Sequence, residues 1–165
     1  MKIYIKKWAE DAKLPTRSHK DDAGYDCYVR CFKKPVVQNG KKQLIDLKVD
    51  KYILKPLERI GCPLGFASAI PIGYYAAVAP RSGNALWKGL SIVNTPGTID
   101  AGYRNEWMAI MVNLSNEDVS IKKHEKICQF IIRKLPNTEL VEVEDLMNSD
   151  RGLGGFGSTG VEIKK

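Results

Sequence analysis

From Ile3 onward, apolar side chains return at every second position over short runs, the period of a strand with one buried face. Ile3 and Ile5 alternate with Lys2, Tyr4 and Lys6, and Ile45, Leu47 and Val49 alternate with Asp46 and Lys48. Further strands are predicted over 26–32, 65–70, 74–79, 90–93 and 106–114, around Ile121, and over 126–135 and 140–143. Asn39-Gly40 is a hairpin turn signal. Residues 9–22 are polar, contain Pro15 and are predicted as loop, and one turn of helix is predicted near 82–86, after Pro80. About ten short strands with Gly and Pro turns imply an all-β sandwich, jelly roll or small barrel. No internal repeat or boundary divides this β domain, which covers residues 1–143.

The segment from Asn94 to Tyr103 stands out between two apolar runs. Pro96, Gly97 and Gly102 favour tight turns there, so the pattern predicts a hairpin carrying one carboxylate, Asp100, with Tyr103 three residues on. Such an acid has two readings. It bonds its own turn, as Asp often does, or it is held as a general base.

The composition adds limits. The chain has 165 residues and a formal net charge of +7. A basic surface suits an anionic partner, but scattered lysines usually mark a solvated face, and nucleic-acid binding is not expected. Cys27, Cys31, Cys62 and Cys128 lack zinc spacing and are expected as reduced core fillers, with Cys27 and Cys31 on one face of a strand. Reduced thiols and the lack of a leader-like apolar start point to the cytoplasm. No apolar run approaches membrane-span length.

Four other places carry candidate chemistry. Pro80-Arg81-Ser82-Gly83 ends a strand and opens the short helix, where amides, a hydroxyl and a guanidinium fork suit an anion, or Ser82 merely caps the helix. Gln129 interrupts the apolar run 127–132 and needs a partner or a ligand. Asp26 stands where a loop enters a strand, as a turn acid or near a hydrated metal ion. Residues 144–165 form a glycine-rich arm with Arg151, Phe156, Gly157, Ser158 and Thr159. No Gly-Lys-Ser/Thr and no following helix support a P-loop there.

Five segments occur in a telling order: Ala-Gly-Tyr-Asp-Cys at 23–27, Pro-Arg-Ser-Gly at 80–83, Asn94 to Glu106, Lys-Ile-Cys-Gln at 126–129, and Arg151 to Gly160. In this the chain resembles the trimeric all-β dUTPases over residues 23–160, in a form like the bacterial and phage branch. The resemblance implies a jelly-roll protomer and a homotrimer whose three sites lie at subunit junctions. One chain would give the first, second and fourth segments, a second the hairpin, and a third its arm. Asp100 would activate the water that attacks the α-phosphorus of dUTP, leaving dUMP and pyrophosphate. Asn94, with backbone groups of Thr98, Ile99, Asp100 and Met108, would read uracil, and Tyr103 would pack on the deoxyribose. Arg81, Ser82, Gly83 and Gln129 would hold phosphates. Arg151 would clamp the terminal phosphates, and Phe156, with Gly157, Ser158 and Thr159, would close over the nucleotide. Mg2+ would ride on the triphosphate, with Asp26 reaching it through water.

The same fold also serves dCTP deaminases, alone or combined with diphosphatase activity, and these use a Glu after the hairpin. Glu106 keeps that alternative open at the level of sequence, while Tyr103 and the complete arm oppose it. Five positions depart from the family pattern: Asn84, Trp87, Asn105, His124 and Lys126.

Overall fold

A computed structural model describes residues 1–155. Thirteen strands and one helix make up these residues. The strands that position the site form two main sheets. The first has the order β10-β8-β13-β2, built from Gly97–Ile99, Tyr74–Pro80, Lys126–Lys134 and Tyr25–Tyr28. The second has the order β4-β3-β6-β11-β9, built from Lys41–Leu47, Phe32–Gln38, Arg59–Pro63, Met108–Asn113 and Leu90–Ile92. Two small pairs complete the shell: β1 (Tyr4–Lys7) with β7 (Phe66–Ala69), and β12 (Val119–Lys122) with β5 (Lys51–Leu54). The result is an all-β jelly roll, as expected.

The core lies between the sheets and follows the two-residue period. In β11, Ala109, Met111 and Asn113 are buried while Met108, Ile110 and Val112 are half-exposed. Phe130 of β13 meets Trp107 edge-on at 5.0 Å and Phe66 at 6.4 Å, tying the sheets together. Asn113 is fully buried and donates to the carbonyls of Leu54 and Glu117, so its polar group is satisfied.

Several sequence expectations change. Residues 26–32 are not one strand: β2 ends at Tyr28 and β3 starts at Phe32, in different sheets. Val29 to Cys31 carry the chain across, so Cys27 is buried in a strand while Cys31 is half-buried in the connection. Residues 140–143 are exposed and not a strand, because no free edge of the described chain pairs with them. Two strands besides β10 were missed. Lys51–Leu54 is only four residues, and Arg59–Pro63 is buried at successive positions, which erases the alternation.

The predicted hairpin around Asp100 is also more complex. Its flanks do pair, with Met111 opposite Ile92. The segment between them leaves that sheet, crosses a cis Thr95–Pro96 bond, and adds Gly97–Ile99 as β10 to the edge of β8. Asn39-Gly40 is the expected hairpin turn, with φ of 51° and 72°.

Candidate active site

β13 faces two ways. Cys128 and Phe130 point into the core, so Gln129 points to the opposite face. Its ladder partners are Asp26 of β2 and Ala79 of β8. Residues directly opposite share a face, which puts Asp26 beside Gln129. β8 then runs into Arg81, which is extended (φ −86°, ψ 133°), and α1 covers Ser82–Lys88. These elements enclose a cleft of about 390 Å3 lined by Asp26, Arg81, Ser82, Gly83 and Gln129, with Gly24 and Ser18 beside them.

The side chains are held in place. Arg81 Nε donates to Asp26 Oδ1 at 2.8 Å, and Lys126 Nζ reaches Asp26 Oδ2 at 2.8 Å. Ser18 Oγ donates to the same oxygen at 3.5 Å. Burial alone would push the Asp26 pKa up, but the hydrogen bonds and charges of Lys126 and Arg81 outweigh it and hold the carboxyl below its ordinary value of 3.8. Asp26 is therefore ionised at neutral pH. The terminal nitrogens of Arg81 have no protein acceptor among the described residues. Gln129 Nε2 donates to Pro80 O at 3.0 Å. A Cβ at Gly24 would lie 2.4 Å from Gln129 Oε1, so a side chain there would displace that amide.

Ser82 is not the helix cap. Arg81 occupies that position, and no side chain caps the helix. Among the described residues, the Ser82 hydroxyl and the amides of the first turn, which lack intrahelical acceptors, have no partner and can take a ligand.

Asp100 lies elsewhere. Its carbonyl accepts from Tyr103 N at 3.1 Å, closing a turn, but its exposed carboxylate takes no hydrogen bond among the described residues. The turn is thus made by the backbone and leaves the acid unused. Thr98 and Ile99 sit on β10, an edge strand, so part of its backbone faces away from β8. Val93 N donates to Ile110 O at 2.9 Å, which draws Asn94 toward the start of β11, where Met108 stands. Tyr103 is 40% exposed, and its hydroxyl donates to Glu106 O at 3.2 Å.

Neither Asp100 nor Tyr103 lines the Arg81 cleft. Ile99 pairs with Ala76, near one end of β8, and Arg81 follows the other end. Five residues of extended chain separate them by roughly 17 Å. Arg151 does not line the cleft, and its Nε donates to Gly154 O at 2.9 Å. Phe156, Gly157, Ser158 and Thr159 lie outside the described residues.

The five departures now have surroundings. Asn84 is buried and bonds to β13. Lys126 pairs with Asp26, a contact the sequence did not reveal. Asn105 Oδ1 accepts from Glu106 N at 2.8 Å. His124 adopts φ 63°, a left-handed conformation that glycine enters at least cost. Trp87 is 82% exposed. Glu106 is committed to structure: Arg30 grips both its oxygens, at 2.8 and 3.1 Å, and Gly65 N donates to it at 3.0 Å. It stands where the deaminase reading needs a free acid, so that reading is not favoured.

The family model described as dUTPase matches residues 45–160, and the chain belongs to the dUTPase family. A deoxyuridine 5'-triphosphate nucleotidohydrolase of Caulobacter vibrioides is 50% identical over 161 residues, covering 96% of this chain and 94% of that protein. One from Nautilia profundicola is 39% identical over 160 residues, covering 97% and 99%. The solved Staphylococcus bacteriophage 80alpha dUTPase with dUPNHPP is 28% identical, with a TM-score of 0.75, covering 97% of this chain and 99% of that one.

Proposed function

We propose that this protein hydrolyses dUTP to dUMP and pyrophosphate in a homotrimer with shared sites. The observation that carries this reading is the cleft where Arg81, Ser82, Gly83 and Gln129 converge, with the unbonded Asp100 outside its lining. A base must lie within hydrogen-bond reach of its water. Asp100 and the phosphate cleft therefore serve one substrate only if different chains supply them.

In that assembly the terminal nitrogens of Arg81, the Ser82 hydroxyl and the first-turn amides take phosphate oxygens. Gln129, locked on Pro80 O, is held in position beside them. Asp100 of a neighbouring protomer orients and deprotonates the attacking water, and Tyr103 covers the deoxyribose. Asn94 and the outward backbone of β10 and Met108 take the uracil edge. The β domain is residues 1–143. Residues 144–165 form an arm in which Arg151, Phe156, Gly157, Ser158 and Thr159 close a neighbour's site and exclude bulk water.

Mg2+ fits this site as an ion carried by the substrate. Both Asp26 oxygens already hold a cation, and no cluster of three His, Cys, Asp or Glu suited to a metal occurs among the described residues. Phosphate oxygens would be the main ligands, with Asp26 reaching the ion through water. Bound there, Mg2+ shields charge on the triphosphate and orients it. No helix of the described residues is long and apolar enough to cross a membrane, and the enzyme would act in the cytoplasm.

The test is direct. Purified protein with Mg2+ and dUTP should release pyrophosphate and dUMP, and Asp100→Asn should lower kcat by about 100-fold or more with little change in KM. A fully active Asp100→Asn would remove Asp100 as the base, and no turnover of dUTP by the wild type would defeat the reading.

A further inference from the structure

The β3–β4 ribbon leaves its sheet almost as soon as it begins. β3 is registered with β6 at one position, Lys33 opposite Gly61. From Lys34 onward its ladder partner is β4, and β4 is an edge strand. Beyond Lys33 both strands are exposed or half-exposed at every position. A two-stranded ribbon is marginal by itself, so burying core does not explain this one.

The charge of the ribbon is mostly positive, with Asp46 its one acid. Residues 34–45 hold three lysines and no acid. Across 33–59, eight cations face Asp46, Asp50 and Glu58, which places five of the seven net positive charges in this stretch. Lys33 pairs with Asp46 at 3.1 Å and Lys34 with Glu58 at 3.8 Å. Lys41, Lys42 and Arg59 have no ion-pair partner among the described residues. Lys42 and Arg59 share a cleft of about 420 Å3 with Pro35, Val37 and Leu44. Lys41, the neighbouring position in the strand, points to the other face.

We propose that this ribbon is a docking arm for nucleic acid, gripping its phosphate backbone. Unpaired cations on both faces suit a polyanion that surrounds the arm, and a duplex major groove admits a two-stranded ribbon. A flat anionic membrane would meet one face, and residues 34–45 contain no aromatic to anchor in it. Contacts of this kind are indifferent to base sequence and release counterions.

The test is fluorescence anisotropy of the full-length protein with a labelled duplex of arbitrary sequence, at a series of salt concentrations. Wild type should bind at low salt, with log K falling linearly against log salt. Replacing Lys41, Lys42 and Arg59 together by Gln should weaken binding at least tenfold and flatten the slope by about two to three units, since each lost phosphate contact removes about 0.9. The variant should keep the wild-type rate on dUTP. Equal binding by variant and wild type would overturn the proposal. So would tighter binding to phosphatidylserine vesicles than to the duplex, or a changed assembly mass in the variant, which would make the ribbon an interface between copies of the chain.

Discussion

Asn84, the third residue of a short helix, donates its amide to the main-chain carbonyl of Lys126 at 3.1 Å, forty-two residues away. A second contact, at 3.4 Å, goes to the carbonyl of Ile127. The β2–β13 register shifts between Lys126 and Cys128, so this is a β-bulge with carbonyls the ladder leaves over. Asn84 thus joins the helix that follows Arg81 to the strand that carries Lys126 and Gln129.

Asn84→Leu is expected to loosen that joint. It leaves two carbonyls short of a donor, at a cost of about 1–3 kcal/mol. The KM for dUTP should rise roughly tenfold while kcat stays within about threefold, the pattern of lost ground-state positioning. Inhibition by pyrophosphate should weaken more than inhibition by dUMP. A lower melting temperature with unchanged kinetics would make Asn84 a purely structural residue.

Gly24→Ala should act on the same cleft from the other side. The new Cβ would sit 2.4 Å from Gln129 Oε1 and push that amide off Pro80 O. We expect KM to rise about tenfold, with an unchanged circular-dichroism spectrum. Wild-type kinetics would show that Gln129 can relocate without consequence.

Shared sites predict complementation. Asp100→Asn and Arg81→Ala should each be nearly inactive. Unfolded together and refolded as a mixture, they should regain about a quarter of wild-type activity, because a site between unlike chains can hold both intact residues. No recovery in mixed assemblies would defeat the shared site.

The Asp26 clamp sets an acid limit. Its folded pKa is lowered, so its contribution to stability is complete above the ordinary value of 3.8 and is lost as pH falls through the folded pKa. Asp26→Asn should therefore melt a few degrees lower than wild type at pH 7. The two melting curves should converge below about pH 4. A gap that persists unchanged to pH 2 would mean that Asp26 acts through packing and not through its charge.

Much of this was legible in the chain. Short apolar runs bounded by turn residues marked β8, β11 and β13. Arg81, Gln129 and Asp26 were singled out because polar groups at strand ends or in apolar runs need partners. The joints were not legible. Val29 to Cys31 continue an apolar pattern while moving between sheets, and the partners of Lys126 and Asn84 are distant in sequence. The β3–β4 ribbon could be placed as a hairpin, but not as a projecting one.

The sequence by itself determined the local elements and the inventory of reactive groups, since period, turn chemistry and residue type are local properties. Only the tertiary structure decided which groups share a site. β10 pairs with Ala76 to Val78 of β8, and Asp100 lies outside the lining of the Arg81 cleft, while Arg30 engages Glu106 in an ion pair. Both outcomes depend on ladder register and long-range pairing, which connect residues that the linear order keeps apart.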